Sequence, residues 1–164
     1  MRFFAGLAVL ASAPAFAIPT FFIQDSSSRY LAEGPSMRAA FTPQGVLFQA
    51  HGSRVQVQFS GANPNVEIRG ANAPGRVNVL RGSDPRAWRT GIPAFTEILY
   101  REMYPGIDAA YTGRDGHLKS EFRVAPGADP GLIRLAYSEK VSLDDAGNLH
   151  AGEHGAFFLG FLLD

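Results

Sequence analysis

Four carboxylates in the second half of the chain, Glu97, Glu102, Asp108 and Glu121, are of the type that glycoside hydrolases use as acid and base. That chemistry needs two carboxyls at a set separation, and spacing along the chain does not bring any two of them together. Asp108 follows Tyr104-Pro105-Gly106 and is expected to accept backbone N–H groups of that turn, as Asp does in tight turns. The imidazoles are His51, His117, His150 and His154. His150 and His154 stand four apart with Glu153 between them, a spacing that puts zinc ligands on one helix face. Gly152 and Gly155 interrupt any helix there, and the His-Glu-x-x-His order is absent, so a solvated tail is expected instead. Asp144, Asp145 and Asn148 crowd a glycine turn and offer hard oxygens to calcium. They lack the EF-hand spacing and its closing Glu, and a β-turn wants Asp, Asn and Gly on its own account.

A second set of candidates is aromatic. Trp88, Tyr100, Tyr104 and Tyr111 would stack on sugar rings if they shared an exposed β surface. Such residues also fill cores and pair across strands, which is the expectation here. Asp84-Pro85-x-x-Trp88 reads as a capped turn whose Trp plugs a sandwich. Nucleophilic chemistry finds no support: Cys is absent, and no Gly-x-Ser-x-Gly elbow or helix-opening glycine loop occurs. The reading is therefore of a chain without catalytic, cofactor-binding or metal-ligating residues.

The chain has 164 residues, enough for one core of ordinary size without disulfides. Its 18 Gly and 11 Pro point to many turns, and its 46% hydrophobic content argues against disorder. Fifteen basic and fifteen acidic groups cancel, so no long-range field attracts nucleic acid. Met1-Arg2, the apolar run Phe3 to Leu10 and the small residues Ala15 and Ala17 succeed one another in the order of a cleavable signal peptide. The run is too short to span roughly 30 Å of hydrocarbon, and Pro14 ends the helix just before the cleavage site. No Cys comes after that site, so a lipoprotein anchor is excluded. The expected location is the periplasm, the cell surface or the medium, with no membrane span in the mature chain.

Beyond Ile18 no window keeps a helical period, and segments alternate at period two between turns. Met37 to Phe41 and Val46 to Ala50 flank Thr42-Pro43-Gln44-Gly45 and form a predicted hairpin. Val55-Gln56-Val57-Gln58-Phe59 predicts a strand with one apolar face. Val66 to Arg69, Val77 to Leu80, Phe95 to Tyr100, Ile107 to Thr112, Leu118 to Val124 and Leu132 to Tyr137 predict further strands. Gly113 to Gly116 carries a tight Asp-Gly turn, and Val141 to Leu143 pairs back through a turn to Leu149. The fold class is all-β, an antiparallel sandwich-like domain after a signal peptide. Residues 1–17 are the leader, 18–36 an atypical N-terminal segment, 37–150 the β domain and 151–164 an apolar tail, read as a truncation remnant.

Several short runs carry a resemblance. Gly61-Ala62-Asn63-Pro64, Pro74-Gly75-Arg76-Val77-Asn78, Gly82-Ser83-Asp84-Pro85 and Trp88-Arg89-Thr90 come first. Tyr104-Pro105-Gly106-Ile107-Asp108 and Phe122 to Pro130, with Val124-Ala125-Pro126-Gly127-Ala128-Asp129-Pro130, come after them. In that order they resemble the N-terminal β domain of bacterial surface proteins with SBBP-type β-propeller repeats, over roughly Ala39 to Leu149. The resemblance implies an exported module of no known activity, with a downstream propeller as its partner in full-length relatives. The function expected is a structural or interaction module, with a carbohydrate- or ligand-binding domain as the alternative and a glycoside hydrolase-like enzyme as a distant third. The leader is directly testable. Intact-mass analysis of secreted protein is expected to find an N-terminus at Ile18, and a retained Met1 in the cytoplasmic fraction would contradict export.

Overall fold

The structure, a computed structural model, describes residues 20–163 apart from 35, 36, 51, 115, 116, 144, 146–148, 152–156 and 160. For Arg114, His117, Leu143 and the strands from Leu149 onward only the backbone is described. Residues 1–17, with Ala15 and Ala17, lie outside the described residues.

The chain folds first into a meander of β1 (Phe22–Gln24), β2 (Tyr30–Glu33), β3 (Met37–Thr42), β4 (Gly45–Ala50) and β5 (Ser53–Phe59). The predicted hairpin forms with Thr42 opposite Gly45. On β5, Val55, Val57 and Phe59 are buried while Arg54, Gln56 and Gln58 face water, as period-two alternation requires. Next come β6 (Glu67–Ala71), β7 (Gly75–Val79), β8 (Arg89–Phe95), β9 (Glu97–Tyr104), β10 (Ile107–Arg114) and β11 (His117–Val124). The last five are β12 (Leu135–Tyr137), β13 (Val141–Leu143), β14 (Leu149–Ala151), β15 (Phe157–Leu159) and β16 (Phe161–Leu163).

Two sheets make a sandwich-like arrangement. One has the order β12-β5-β4-β3-β2-β1-β8-β7 and the other β16-β11-β10-β9-β6; β13, β14 and β15 form a small third sheet. Among the described residues all pairings are antiparallel except that of β16 with β11.

Two segments differ from the sequence expectation, and a third, the apolar tail, forms strands. The described part of the segment set apart as atypical, residues 20–34, belongs to the sandwich: β1 and β2 sit in the middle of the large sheet, and Phe22 is fully buried. A three-residue strand is too short to show alternation, which is why the pattern passes over it. The predicted strand from Leu132 begins only at Leu135. Asp129 caps a 3-10 turn at Pro130–Leu132, and its carboxylate accepts from Gly131 N at 2.8 Å. The apolar tail supplies two backbone strands, β15 against β14 and β16 along the edge of the smaller sheet.

A chain of rings fills the space between the sheets. Phe22 meets Phe41 at 5.4 Å, Phe41 meets Tyr111 at 4.9 Å, Tyr111 meets Tyr100 at 5.9 Å and Tyr100 meets Phe59 at 5.4 Å. Every contact is edge-on, the arrangement the ring quadrupole favours, and each such pair adds about 0.5–1.5 kcal/mol beyond simple burial. Three phenols then reach across from one sheet to the other. Tyr30 Oη accepts from Gly70 N at 2.9 Å, and Tyr100 Oη donates to Thr42 O at 3.1 Å. Tyr104 Oη donates to Arg134 O at 3.0 Å and lies 3.4 Å from Ser60 O. Gly70 must be a glycine, since a Cβ there would fall 2.5 Å from the Phe95 ring.

Burial pushes the phenols of Tyr100, Tyr104 and Tyr111 above their usual range, and that of Tyr137 up to about 12. The neutral phenol is thus favoured in the folded state over the unfolded one, whose tyrosines ionise near 10. This contribution is complete below about pH 10 and is lost as pH rises through the folded values. In an alkaline titration, phenolate absorbance from these tyrosines is expected to rise together with loss of the near-ultraviolet circular dichroism. Phenolate formation with the dichroism intact would contradict their burial.

Candidate functional site

The four carboxylates separate into two pairs. Glu97 on β9 and Glu121 on β11 lie on the outer face of the smaller sheet, in a shallow depression of about 370 Å³ that Asn72, Thr96, Thr112, Gly113 and Lys119 also line. Arg123 Nη2 sits 2.7 Å from Glu97 Oε1 and 3.8 Å from Glu121 Oε2, so one guanidinium serves both. Lys119 bonds Glu121 from its other side. That hydrogen bond, with the nearby cations, outweighs the effect of burial and holds the Glu121 carboxyl below the usual range. A glycosidase acid must be shifted upward to keep its proton near neutrality, and Glu121 moves the other way.

Glu102 and Asp108 are engaged in a bulge. Pairing of β9 with β10 slips between Ile107 and Ala109, and Glu102 takes a left-handed backbone with φ of 50°. Asp108 Oδ1 accepts from Glu102 N at 2.8 Å, the backbone role expected for it. Its other oxygen faces Arg101 at 3.5 Å. Glu102 Oε2 in turn accepts from Gly106 N at 3.3 Å.

That bulge is where separate sequence runs meet. Asn63 N donates to Met103 O at 2.8 Å, and Asn63 Nδ2 reaches Glu102 O at 3.4 Å. Gly106 O accepts from Ala125 N at 2.9 Å. A Cβ at Gly106, whose φ is +71°, would fall 2.9 Å from Ala128 Cβ, so the turn packs against the loop by close backbone approach. Gly61 to Pro64, Tyr104 to Asp108 and Ala125 to Pro130 therefore form one end of the sandwich around the Tyr104 phenol. Their polar side chains bind backbone: Asn63 Oδ1 takes Asn65 N, and Asp129 Oδ1 takes Gly131 N.

The stacking platform weighed as the alternative to packing does not form. Tyr100, Tyr104 and Tyr111 are 0%, 2% and 5% exposed, so all three belong to the core. Trp88 departs in the opposite sense. It does not plug the sandwich but stands 38% exposed on the long connection between β7 and β8. The capped turn predicted there does form, with Asp84 Oδ1 accepting from Arg86 N at 2.9 Å and Trp88 N bonding Pro85 O at 3.1 Å. Trp88 Nε1 then donates to Gly82 O at 3.1 Å, which turns the indole onto its own loop rather than into the core.

Trp88 has a neighbourhood that sequence spacing does not single out. Leu80 is 59% exposed on the same connection. Arg76, Arg81, Arg86 and Arg89 stand against the single acid Asp84 between positions 76 and 89, a local excess in a chain that is neutral as a whole. The signal lies in the residue types, an arginine-rich run punctuated by Leu and Trp, and only its exposure distinguishes it from core.

Among the described residues no group of three or more His, Asp or Glu is placed to hold a metal ion. His150 lies in strand β14 rather than in a helix, and His154 and His51 fall outside the described residues. Asp144 and Asn148 also fall outside them, and Asp145 is an exposed turn residue. No described helix is long and apolar enough to cross a membrane, which says nothing about crossing by strands.

Fold and site together describe an all-β sandwich-like domain in which Asn63, Asp108 and Asp129 organise loop backbone. A family model, a domain of unknown function designated DUF7948, matches residues 19–156, and the chain belongs to that family. The match takes in β1 and β2, in agreement with their place in the large sheet. No curated protein and no solved structure matches the chain.

Proposed function

We propose that the protein is an exported, non-catalytic interaction module of a bacterial cell-surface or secreted protein. The observation that carries this reading is the division of labour among its polar and apolar side chains. The carboxylates are tied to arginine, lysine or backbone N–H groups, whereas Leu80 and Trp88 are held in solvent beside unneutralised arginines. Large apolar side chains displayed on an ordered loop mark a contact surface rather than a reaction centre. The order of features in the first 17 residues supports export, and the resemblance to domains that precede β-propeller repeats supports a downstream propeller as partner in longer relatives. Carbohydrate binding is the second reading and rests on Trp88 alone, because the tyrosines are buried.

Enzyme and module are separable by experiment. The mature chain is expected to release no chromophore from a panel of nitrophenyl glycosides, and Glu97→Gln and Glu121→Gln are each expected to lower stability by up to about 1 kcal/mol through loss of partly exposed ion pairs. Turnover abolished by either substitution would overturn the proposal. So would a gain in stability from both, the signature of carboxylates crowded together for catalysis.

A further inference from the structure

The β7–β8 hairpin forms one margin of the large sheet. On its far side β7 pairs with no strand among the described residues, so the backbone groups of Gly75 to Val79 there are open to an added strand. Beside the start of β7 lies a mostly apolar depression of about 390 Å³, with Pro74, Arg76, Pro93 and Phe95 in its lining. Beyond its end stand Leu80 and Trp88 with Arg81 and Arg86. Arg76 and Arg89 bond the carbonyls of Gly91 and Gln24. The side chains of Arg81 and Arg86 make no ion pair or hydrogen bond among the described residues and are exposed.

We infer that this hairpin docks an acidic, extended polypeptide segment of a partner protein, laid along β7 with an aliphatic side chain on Leu80 and Trp88. The inference rests on the interaction-module reading and names its partner's chemistry. Three features select a polypeptide over other anions. An open strand edge satisfies main-chain amides, which a polysaccharide lacks. Leu80 is aliphatic and offers a sugar ring nothing to stack on, whereas it suits Val, Ile or Leu. The local excess of arginine over the single Asp84 complements acidic residues, and Arg and Trp are the side chains that dominate contact surfaces. The loop is also held before binding, by the Asp84 cap and the Trp88 to Gly82 hydrogen bond, which reduces the ordering cost of association.

Trp88 is the chain's single tryptophan, so its emission reports this surface alone. The mature chain is titrated with a short end-blocked peptide alternating Glu and Val, with the corresponding Lys and Val peptide, and with polygalacturonate. The acidic peptide is expected to shift the emission saturably, with a midpoint that rises at least about tenfold in Arg81→Glu/Arg86→Glu and rises with salt. These two side chains are exposed and unpaired, and an unchanged melting curve of the variant shows that its fold is intact. If that variant does not fold, Leu80→Ser carries the same expectation. The inference is overturned if the acidic peptide gives no shift up to about 1 mM, or if the lysine peptide shifts the emission equally. A shift with polygalacturonate alone would also overturn it and assign the surface to an anionic polysaccharide. Each of these failures leaves the substrate panel and the leader's mass measurement standing, so the loss of this partner is distinguishable from the loss of the module reading.

Discussion

Three phenol groups hold the two sheets in one relation to each other. A Tyr side chain brings a large apolar ring into the core, but its hydroxyl must find a partner there or the burial is costly. In this protein the partners are main-chain groups of the opposite sheet or of the segments flanking it: Gly70 for Tyr30, Thr42 for Tyr100, and Ser60 with Arg134 for Tyr104. Apolar packing alone would let the sheets slide, since burial has no direction. Hydrogen bonds to fixed backbone positions do not. The constraint reaches into the sequence, because the Tyr30 bond requires Gly70 to lie where the Phe95 ring leaves no space for a side chain.

At the end of the sandwich around Tyr104 the same constraint shapes the loops. The segment leaving β5 and the loop before β12 both bond one hydroxyl, and the adjoining Asn63, Asp108 and Asp129 each bind a backbone N–H. Polar residues that look suited to chemistry are engaged in shaping loops. The proposed function falls to a surface outside this end, the hairpin that displays Leu80 and Trp88. An ordered hairpin on a rigid frame suits recognition, because little ordering is needed when a partner arrives.

Much of the fold was legible because strands with one wet face alternate, as β5 does with its buried valines and exposed glutamines. The hairpin at Pro43 and the capped turn at Asp84 were equally legible, since proline and aspartate fix local backbone by mechanisms that need no tertiary context. The strands β1 and β2 were not. At three and four residues they are too short for a period to register, and β1 takes its place in the sheet by pairing with β8, some seventy residues away. The backbone role of Asp108 was plain from its turn. The fate of the aromatics was harder to read, because one residue type serves core, cross-strand contact and surface alike. Packing was the right expectation for the tyrosines and the wrong one for Trp88, which its own loop holds outward through Gly82. The pairing of Arg123 with both Glu97 and Glu121 depends on strand register and lies beyond any reading of spacing.

If the Tyr104 hydroxyl organises the end of the sandwich, removing it must loosen that end and leave the rest alone. Hydrogen exchange of Tyr104→Phe, measured alongside its unfolding free energy, tests this without disturbing the ring. The expected result is a loss of about 1–3 kcal/mol from the unsatisfied backbone groups, with faster exchange at Asn63, Ala125 and Arg134 and little change in the β3–β4 hairpin. Unchanged stability, with exchange at those three amides as slow as in the parent protein, would contradict the organising role of that hydroxyl.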